Sequence, residues 1–332
     1  MNDNVSDMPL VSIVLPTYKR AHLLSQAIRS VLDQTYANLE LIIVDDNSPD
    51  DTAAVVQSFD DARIRYVKND PNLKLPRALN QGFCLARGEY LTWTSDDNLY
   101  APNAIEKMVD ALRDKGCHFV YADYYLFAEQ DTDGRPLDVY HDKLPGSVQL
   151  EKGNHIGACF MYTREVYEAV GEYDPELFLV EDYDYFMRIA KRFRMCHIPE
   201  PLYYFRRDDA TLFCSRFCEV KASDFLVRYK NEMLSDREVL DAVVALIARN
   251  KERLKMPLLR WTYLAVNRLS YRLTRMHETM TVRYMRHKLR NPVFGLLENY
   301  RTKKMTFDEA KSALMGLMKR LGTIEYVQPK LN

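Results

Sequence analysis

The sequence of 332 residues predicts an α/β fold: a Rossmann-like, mostly parallel sheet flanked by helices, with a C-terminal α-helical extension. Three observations lead there. Short apolar runs alternate with segments of helical periodicity over the first 120 residues, the pattern of strand–helix–strand units. Acidic residues stand just after these runs, where open α/β sheets bind their ligands. Beyond residue 215 helical patterns dominate and the charge changes sign.

Val11 to Leu15 is an apolar run ended by Pro16 and reads as a buried strand. Residues 21–33 carry helical periodicity through Leu24, Ile28, Val31 and Leu32. Leu39 to Val44 is a second strand. Ser48-Pro49-Asp50-Asp51 reads as a helix start, with a capping serine, proline at the first helical position and acids in the first turn. Ile64 to Val67 is a third strand, 75–86 a helix closed near Gly88, Tyr90 to Thr94 a fourth strand, and a further helix starts near Pro102. Residues 118–150 are irregular and rich in Tyr and Asp, with strands and a hairpin around Asp133-Gly134. Ile156 to Tyr162 reads as a strand and 163–171 as a short helix ending at Gly171. Residues 181–193 read as a helix with Phe186, Ile189 and Ala190 inward, and 201–206 close the sheet.

Net charge is −1, which favours no polyanionic partner. Residues 221–332 nevertheless hold 23 Lys+Arg against 11 Asp+Glu, while residues 1–220 hold 23 against 36. An acidic front and a basic tail suggest two jobs on one chain. The six cysteines, Cys84, Cys117, Cys159, Cys196, Cys214 and Cys218, contain no CxxC and read as free buried thiols in a reducing cytosol. Met1 to Pro9 lacks the apolar core of a signal peptide, and no run of 18 apolar residues appears. A cytoplasmic protein, peripheral on the inner face of the membrane at most, is the expectation.

Three acidic pairs stand where a site belongs: Asp45-Asp46, Asp96-Asp97 and Glu181-Asp182. One such pair alone is ordinarily a cap or a solvated pair. Two at strand ends are another matter, because clustered carboxylates repel unless a cation or donors compensate. Hard cations such as Mg²⁺ and Mn²⁺ take oxygen ligands and bridge to phosphates.

Four segments then make a resemblance. VSIVLPTYKR at 11–20, ELIIVDDNSPDDT at 40–52, LNQGFCLARGEYLTWTSDDN at 79–98 and VEDYDYFMRIAKR at 180–192 resemble, in order and spacing, family 2 glycosyltransferases of the GT-A fold over about residues 8–210. The resemblance implies a catalytic domain at 1–215, with the basic helical extension at 216–332. It implies that Pro16, Thr17 and Tyr18 hold the nucleotide, Tyr18 by stacking, and that Asp46, or else Asp45, reads the base, normally uracil. It implies a Mn²⁺ or Mg²⁺ site at Asp97, with Asp96 on the ribose or in the ion's water shell. Thr94 stands where the first acid of the family's Asp-x-Asp motif often falls. Leu79 occupies the slot of an Arg found in many relatives, so Lys74 and Arg77 are the substitutes for the diphosphate. The resemblance gives Asp182 the role of catalytic base in an inverting displacement, with Glu181 orienting the acceptor. Relatives often carry a metal-reaching His near Asp208, and Asp208 is the substitute here. His155 is a candidate for lining the acceptor pocket.

The implied reaction moves a sugar from a nucleotide-sugar donor, a UDP-sugar first, to a glycan or lipid-linked acceptor in cell-surface polysaccharide synthesis. A nucleotidyltransferase is the alternative enzyme, but Pro16-Thr17-Tyr18-Lys19-Arg20 lacks the Gly-rich loop it would use. A non-catalytic nucleotide-sugar-binding protein is the third reading, and intact Asp97 and Asp182 argue against it. Processive relatives carry Gln-x-x-Arg-Trp; here Pro257 precedes Arg260-Trp261, so addition of one or a few sugars is expected.

In 258–290, Val266, Leu269, Leu273, Met276 and Met280 form an apolar stripe beside Arg268, Arg272, Arg275, Arg283, Arg286 and Arg290, with Trp261, Tyr263, Tyr271 and Tyr284 nearby. The pattern fits an anionic membrane surface or a helix packed on its own domain or on a second subunit of a homo-oligomer, with the arginines solvated, equally well. Nucleic acid is disfavoured by the acidic front.

Overall fold

A computed structural model describes residues 8–248, 268–321 and 324, with the side chains of the last stretch described from residue 282. The chain divides into two compact units, Met1–Thr211 and Leu212–Asn332.

The first unit runs β1 (Val11–Thr17), α1 (Ala21–Leu32), β2 (Leu39–Asp45), α2 (Thr52–Gln57), β3 (Ile64–Lys68), α3 (Leu75–Leu85), β4 (Tyr90–Trp93), β5 (Leu99–Tyr100), α4 (Ala104–Lys115), β6 (Phe119–Phe127), β7 (Tyr140–Asp142), β8 (Phe160–Thr163), α5 (Arg164–Val170), α6 (Glu181–Ala190) and β9 (Met195–Arg206). One sheet has the order β3-β2-β1-β4-β8-β6-β9-β5, with β7 added on β6. Its first four strands are mutually parallel. β1 and β2 are buried along their whole length, as near-continuous apolar strands covered on both faces should be. Leu24, Ile28 and Val31 of α1 join Val11, Ile13 and Leu15 in one core. On the other face α3 crosses β1 at Gly82, where a Cβ would lie 2.3 Å from Val14 Cγ1. Only glycine lets the helix approach that closely.

Beyond β4 the sheet is mixed. β8 runs antiparallel to β4 and β6, β7 to β6 and β5 to β9, while β6 and β9 are parallel. The parallel expectation therefore holds for the first half. Strand β8 returns from the irregular segment 128–159 without a crossover helix, and antiparallel pairing requires none.

Local readings change in four places. Ser48 caps no helix: its N–H donates to Asp45 Oδ1 (2.7 Å), its Oγ accepts from the Lys19 N–H (3.1 Å), and α2 starts at Thr52. The strand expected from Ile156 begins only at Phe160, because Gly157, at φ +69° against the Tyr124 ring, breaks the extended run. Ala190 is exposed at the end of α6, whereas Phe186 and Ile189 are buried. The cysteines are not all free thiols. Cys117 and Cys196 form a disulfide, with Cα atoms 6.2 Å apart. They lie just before β6 and within β9, neighbouring parallel strands 79 residues apart in sequence, a proximity that spacing does not reveal. Of the free cysteines Cys159 and Cys218 are buried, and Cys84 is exposed.

The second unit contains α7 (Leu212–Ser215), α8 (Phe217–Lys230), α9 (236–248), α10 (Arg268–Arg301) and α11 (Phe307–Leu321). Ser235 with Glu238, and Thr306 with Glu309, form reciprocal capping boxes at the starts of α9 and α11. α11 packs on α8 and α10. Trp261, Tyr263, Val266, Pro257 and Arg260 lie outside the described residues, as do the side chains of Arg268, Leu269, Tyr271, Arg272, Leu273, Arg275, Met276 and Met280. In the described part, Met285, Leu289, Val293 and Leu297 are buried, while Arg283, Tyr284, Arg286 and Arg290 are exposed. No helix among the described residues is long and apolar enough to cross a membrane.

Candidate active site

The parallel strands β1, β2 and β4 end on one side of the sheet, where Asp45, Asp46, Asp96 and Asp97 stand. Pro16 and Thr17 still pair with Val44 and Asp45 of β2. Thr17 Oγ1 donates to Asp96 Oδ2 at 2.8 Å, tying the end of β1 to the loop after β4. Tyr18 follows, 42% exposed, with Lys19 Nζ 5.0 Å from its ring centre. An exposed aromatic at this strand end offers a face for stacking.

Asp45 and Asp46 do different things. Asp45 is fully buried and accepts from the Ser48 N–H (2.7 Å) and Tyr66 OH (2.7 Å). Asp46 accepts from Asn69 Nδ2 (2.9 Å) and from the N–H groups of Leu73 (2.7 Å) and Lys74 (2.9 Å). Three of a carboxylate's roughly four acceptor sites thus hold loop 69–74. Lys74 and Arg77 are exposed at the start of α3, and Leu79 is buried. Asn80 grips the backbone of Tyr173 in both directions, at 2.8 and 2.9 Å.

After β4, Thr94 is buried and shares a 2.6 Å hydrogen bond with Tyr203 OH. Asp96 and Asp97 are mostly buried, and Arg20 is ion-paired to both, touching Asp97 and lying 3.6 Å from Asp96. Burial, then the neighbouring Asp97, pushes the Asp96 carboxyl up to about 7 against the pull of Arg20. Asp97 is raised by the same burial. Arg206 closes the loop from the other side, donating Nε–H to the Asp97 carbonyl at 3.3 Å, while its backbone N–H reaches Asn98 at 2.8 Å. Asp208 is turned to its own loop, accepting from the N–H groups of Ala210 and Thr211, with Arg206 Nη1 3.6 Å away. Among the described residues no group of three or more His, Cys, Asp or Glu could hold a metal ion.

Glu181 and Asp182 open α6, where the helix dipole favours acids. Asp182 Oδ1 accepts from the Tyr183 N–H (2.7 Å) and Oδ2 from Asn154 Nδ2 (3.0 Å). Burial raises its pKa to about 6. Glu181 is buried, its Oε2 without a hydrogen-bond partner, and burial followed by the charge of Asp182 pushes it up to about 8. Beside this helix Tyr173 stacks on Tyr185 with ring centres 4.2 Å apart. The hydroxyls of Tyr162, Tyr173 and Tyr185 cluster together in the interior with the indole of Trp93 beside Tyr173, and burial raises all three phenols. Sequence reasoning missed Asn154, Arg20 and this polar lining. Arg20 stood inside the first quoted segment, directly after the nucleotide turn, and its basic charge was the available signal. His155 is half-buried next to Asn154, and the neighbour, not the histidine, reaches Asp182.

With this geometry in place, comparison with known proteins decides the family. Residues 12–171 match the model of Glycosyl transferase family 2. The chain carries a family 2 glycosyltransferase domain. It is 32% identical over 235 residues to an uncharacterized glycosyltransferase of Rickettsia conorii, covering 67% of this chain and 36% of that protein. It is 37% identical over 188 residues to the putative colanic acid biosynthesis glycosyl transferase WcaA of Escherichia coli, covering 55% of this chain and 66% of that protein. The chain thus spans from about a third to about two thirds of the length of these relatives. Among solved structures, S. aureus TarS 1-349 superposes with a TM-score of 0.55 at 16% identity, over 93% of this chain and 91% of that one. Mannosyltransferase PcManGT from Pyrobaculum calidifontis, in complex with GDP-Man and Mn²⁺, superposes with a TM-score of 0.54 at 18% identity, over 83% and 86%. These two likenesses establish the GT-A-like fold of this family 2 domain.

Proposed function

We propose that this chain is an inverting glycosyltransferase that moves a sugar from a UDP-sugar to a glycan or lipid-linked acceptor in polysaccharide synthesis. The observation that carries the reading is the Thr17–Asp96 bond, which joins the turn bearing Tyr18 to the Asp96-Asp97 pair. A stacking face and buried carboxylates thereby stand together at the strand ends. Supporting it, a relative 32% identical over 138 residues is the UDP-Glc:alpha-D-GlcNAc-diphosphoundecaprenol beta-1,3-glucosyltransferase WfgD of E. coli, of which 54% is covered. TarS has also been solved in complex with UDP-GlcNAc.

In this reading Tyr18 stacks on the base, and the loop held by Asp46 forms the wall beside it. Asp46 has one acceptor site left for the base edge, and Asp45 maintains the turn. Lys74 and Arg77 stand at the mouth of α3 for the diphosphate. Asp96 and Asp97 fit a divalent ion: two adjacent buried carboxylates already require positive charge, and their oxygens suit Mn²⁺ or Mg²⁺. Held by Asp96 and Asp97, such an ion would supply positive charge that stabilises the departing diphosphate. Asp182, oriented by Asn154 and its own helix start, removes the proton from the acceptor hydroxyl as that oxygen attacks the anomeric carbon. Its pKa of about 6 leaves it ionised at neutral pH and still basic enough for the transfer. Glu181 and the buried tyrosine hydroxyls form the polar wall beside the acceptor.

The basic helical extension is the proposed contact with an anionic membrane, supported by the exposed Arg283 and Arg290 above buried Met285 and Leu289. A second copy of the chain is the competing partner. Binding to anionic vesicles that falls with salt favours the membrane; a dimer that ignores vesicles favours self-association.

The reaction is tested by nucleotide release across a panel of UDP-, GDP- and dTDP-sugars, with and without Mn²⁺. Release from a UDP-sugar that Mn²⁺ enhances is the expected result. No release from any donor, with no metal-dependent nucleotide binding, removes the reading.

A further inference from the structure

Arg20 is placed unlike any other cation of the site. It follows the Pro16-Thr17-Tyr18-Lys19 turn and stands immediately before α1. Its Nη1 contacts Asp97 Oδ2 and lies 3.6 Å from Asp96 Oδ1, so one guanidinium serves both carboxylates. Arg206 also favours the charged Asp97 through space, but its hydrogen bonds go to the Asp97 carbonyl and the Ala128 carbonyl, with its Nη1 3.6 Å from Asp208, and not to either carboxylate of the pair. One oxygen of each acid, Asp96 Oδ1 and Asp97 Oδ2, lies toward Arg20, and the other oxygen of Asp96 accepts from Thr17. Arg20 is 22% exposed in its side chain, against 9% and 10% for the two acids. It is the most exposed of the three groups.

A guanidinium held against both carboxylates and a divalent ion bound by them carry like charges that repel, and both draw on the same small set of carboxylate oxygens. They compete. We infer that Arg20 is the built-in counter-ion of the Asp96-Asp97 pair, which a divalent ion must displace, and that the displaced guanidinium turns to the diphosphate of the donor. Arg20 shares its turn with Thr17 and Tyr18, so the diphosphate of a nucleotide stacked on Tyr18 lies within the same neighbourhood. A planar guanidinium suits phosphate oxygens well. Ion and nucleotide then load cooperatively: the ion alone competes with Arg20, whereas the nucleotide gives Arg20 a new partner. Arg20 is on this account a positioning residue for metal and donor loading. The inference rests on the metal and nucleotide reading proposed above.

The test titrates Mn²⁺, followed by electron paramagnetic resonance, into the full chain and into Arg20→Gln, each without and with saturating UDP. The wild type is expected to bind Mn²⁺ weakly alone and more tightly with UDP. Arg20→Gln is expected to bind Mn²⁺ alone about tenfold more tightly than the wild type, with a smaller gain from UDP. A second readout tests the fold: Arg20→Gln should melt below the wild type without Mn²⁺ and recover when Mn²⁺ is added. Equal or weaker Mn²⁺ binding by Arg20→Gln, with the wild type still responding to UDP, overturns the role of Arg20 alone. No Mn²⁺ binding by the wild type with UDP overturns the metal reading, and this inference with it.

Discussion

The Asn154 side-chain amide donates to Asp182 at 3.0 Å, joining the irregular segment before β8 to the first turn of α6. The bond favours the ionised carboxylate against a burial that raises its pKa to about 6. A base acts only when unprotonated. The rate at low donor and acceptor concentration should therefore rise with pH through about 6 and level above it. Asn154→Ala should move that acidic limb upward, by up to about one pH unit since the bond is partly exposed to solvent. Asp182→Asn should bind donor as the wild type does and lose roughly 10²–10⁴-fold in turnover. A pH profile unchanged by Asn154→Ala, or loss of donor binding in Asp182→Asn, means that the base lies elsewhere.

Glu181 makes a stability prediction of opposite sense to an ordinary salt-bridged acid. Its folded pKa, about 8, lies above the ordinary 4.5. The folded state therefore holds a proton that the unfolded state has released, and stability must fall as pH rises from about 4.5 to about 8. The raised Asp96 adds to the same trend. Glu181→Gln should flatten the decline in melting temperature between pH 5 and pH 8 without abolishing it. An identical slope in wild type and variant contradicts the buried, protonated Glu181.

Gly82 separates folding from chemistry. A methyl group there meets Val14 Cγ1 at 2.3 Å and must force α3 off β1. Gly82→Ala should cost about 1–3 kcal/mol in urea unfolding. No loss of stability would mean that α3 can shift freely.

The parallel half of the sheet was legible because β1 and β2 are continuous apolar runs, buried on both faces, and such runs need no long-range information. Asp45-Asp46 was legible because it closes the second of those runs, and Asp96-Asp97 because it stands shortly after β4. What long-range pairing decides was not. Arg20 meets Asp97 across 77 residues, and Asn154 meets Asp182 across 28. Cys117 meets Cys196 only because β6 and β9 became neighbours. The β8 boundary depended on Gly157 closing against Tyr124, a contact that an apolar run cannot report. Asp46 was expected to read the base, and no local pattern showed that loop 69–74 supplies it with three donors.

The central claim, inverting transfer from a UDP-sugar, is tested most directly by proton NMR of the anomeric signals while the enzyme turns over a donor in the presence of Mn²⁺. The account predicts decay of the donor's anomeric signal, release of UDP, and a first-formed product of opposite anomeric configuration. A first-formed product that retains the donor's configuration would contradict it.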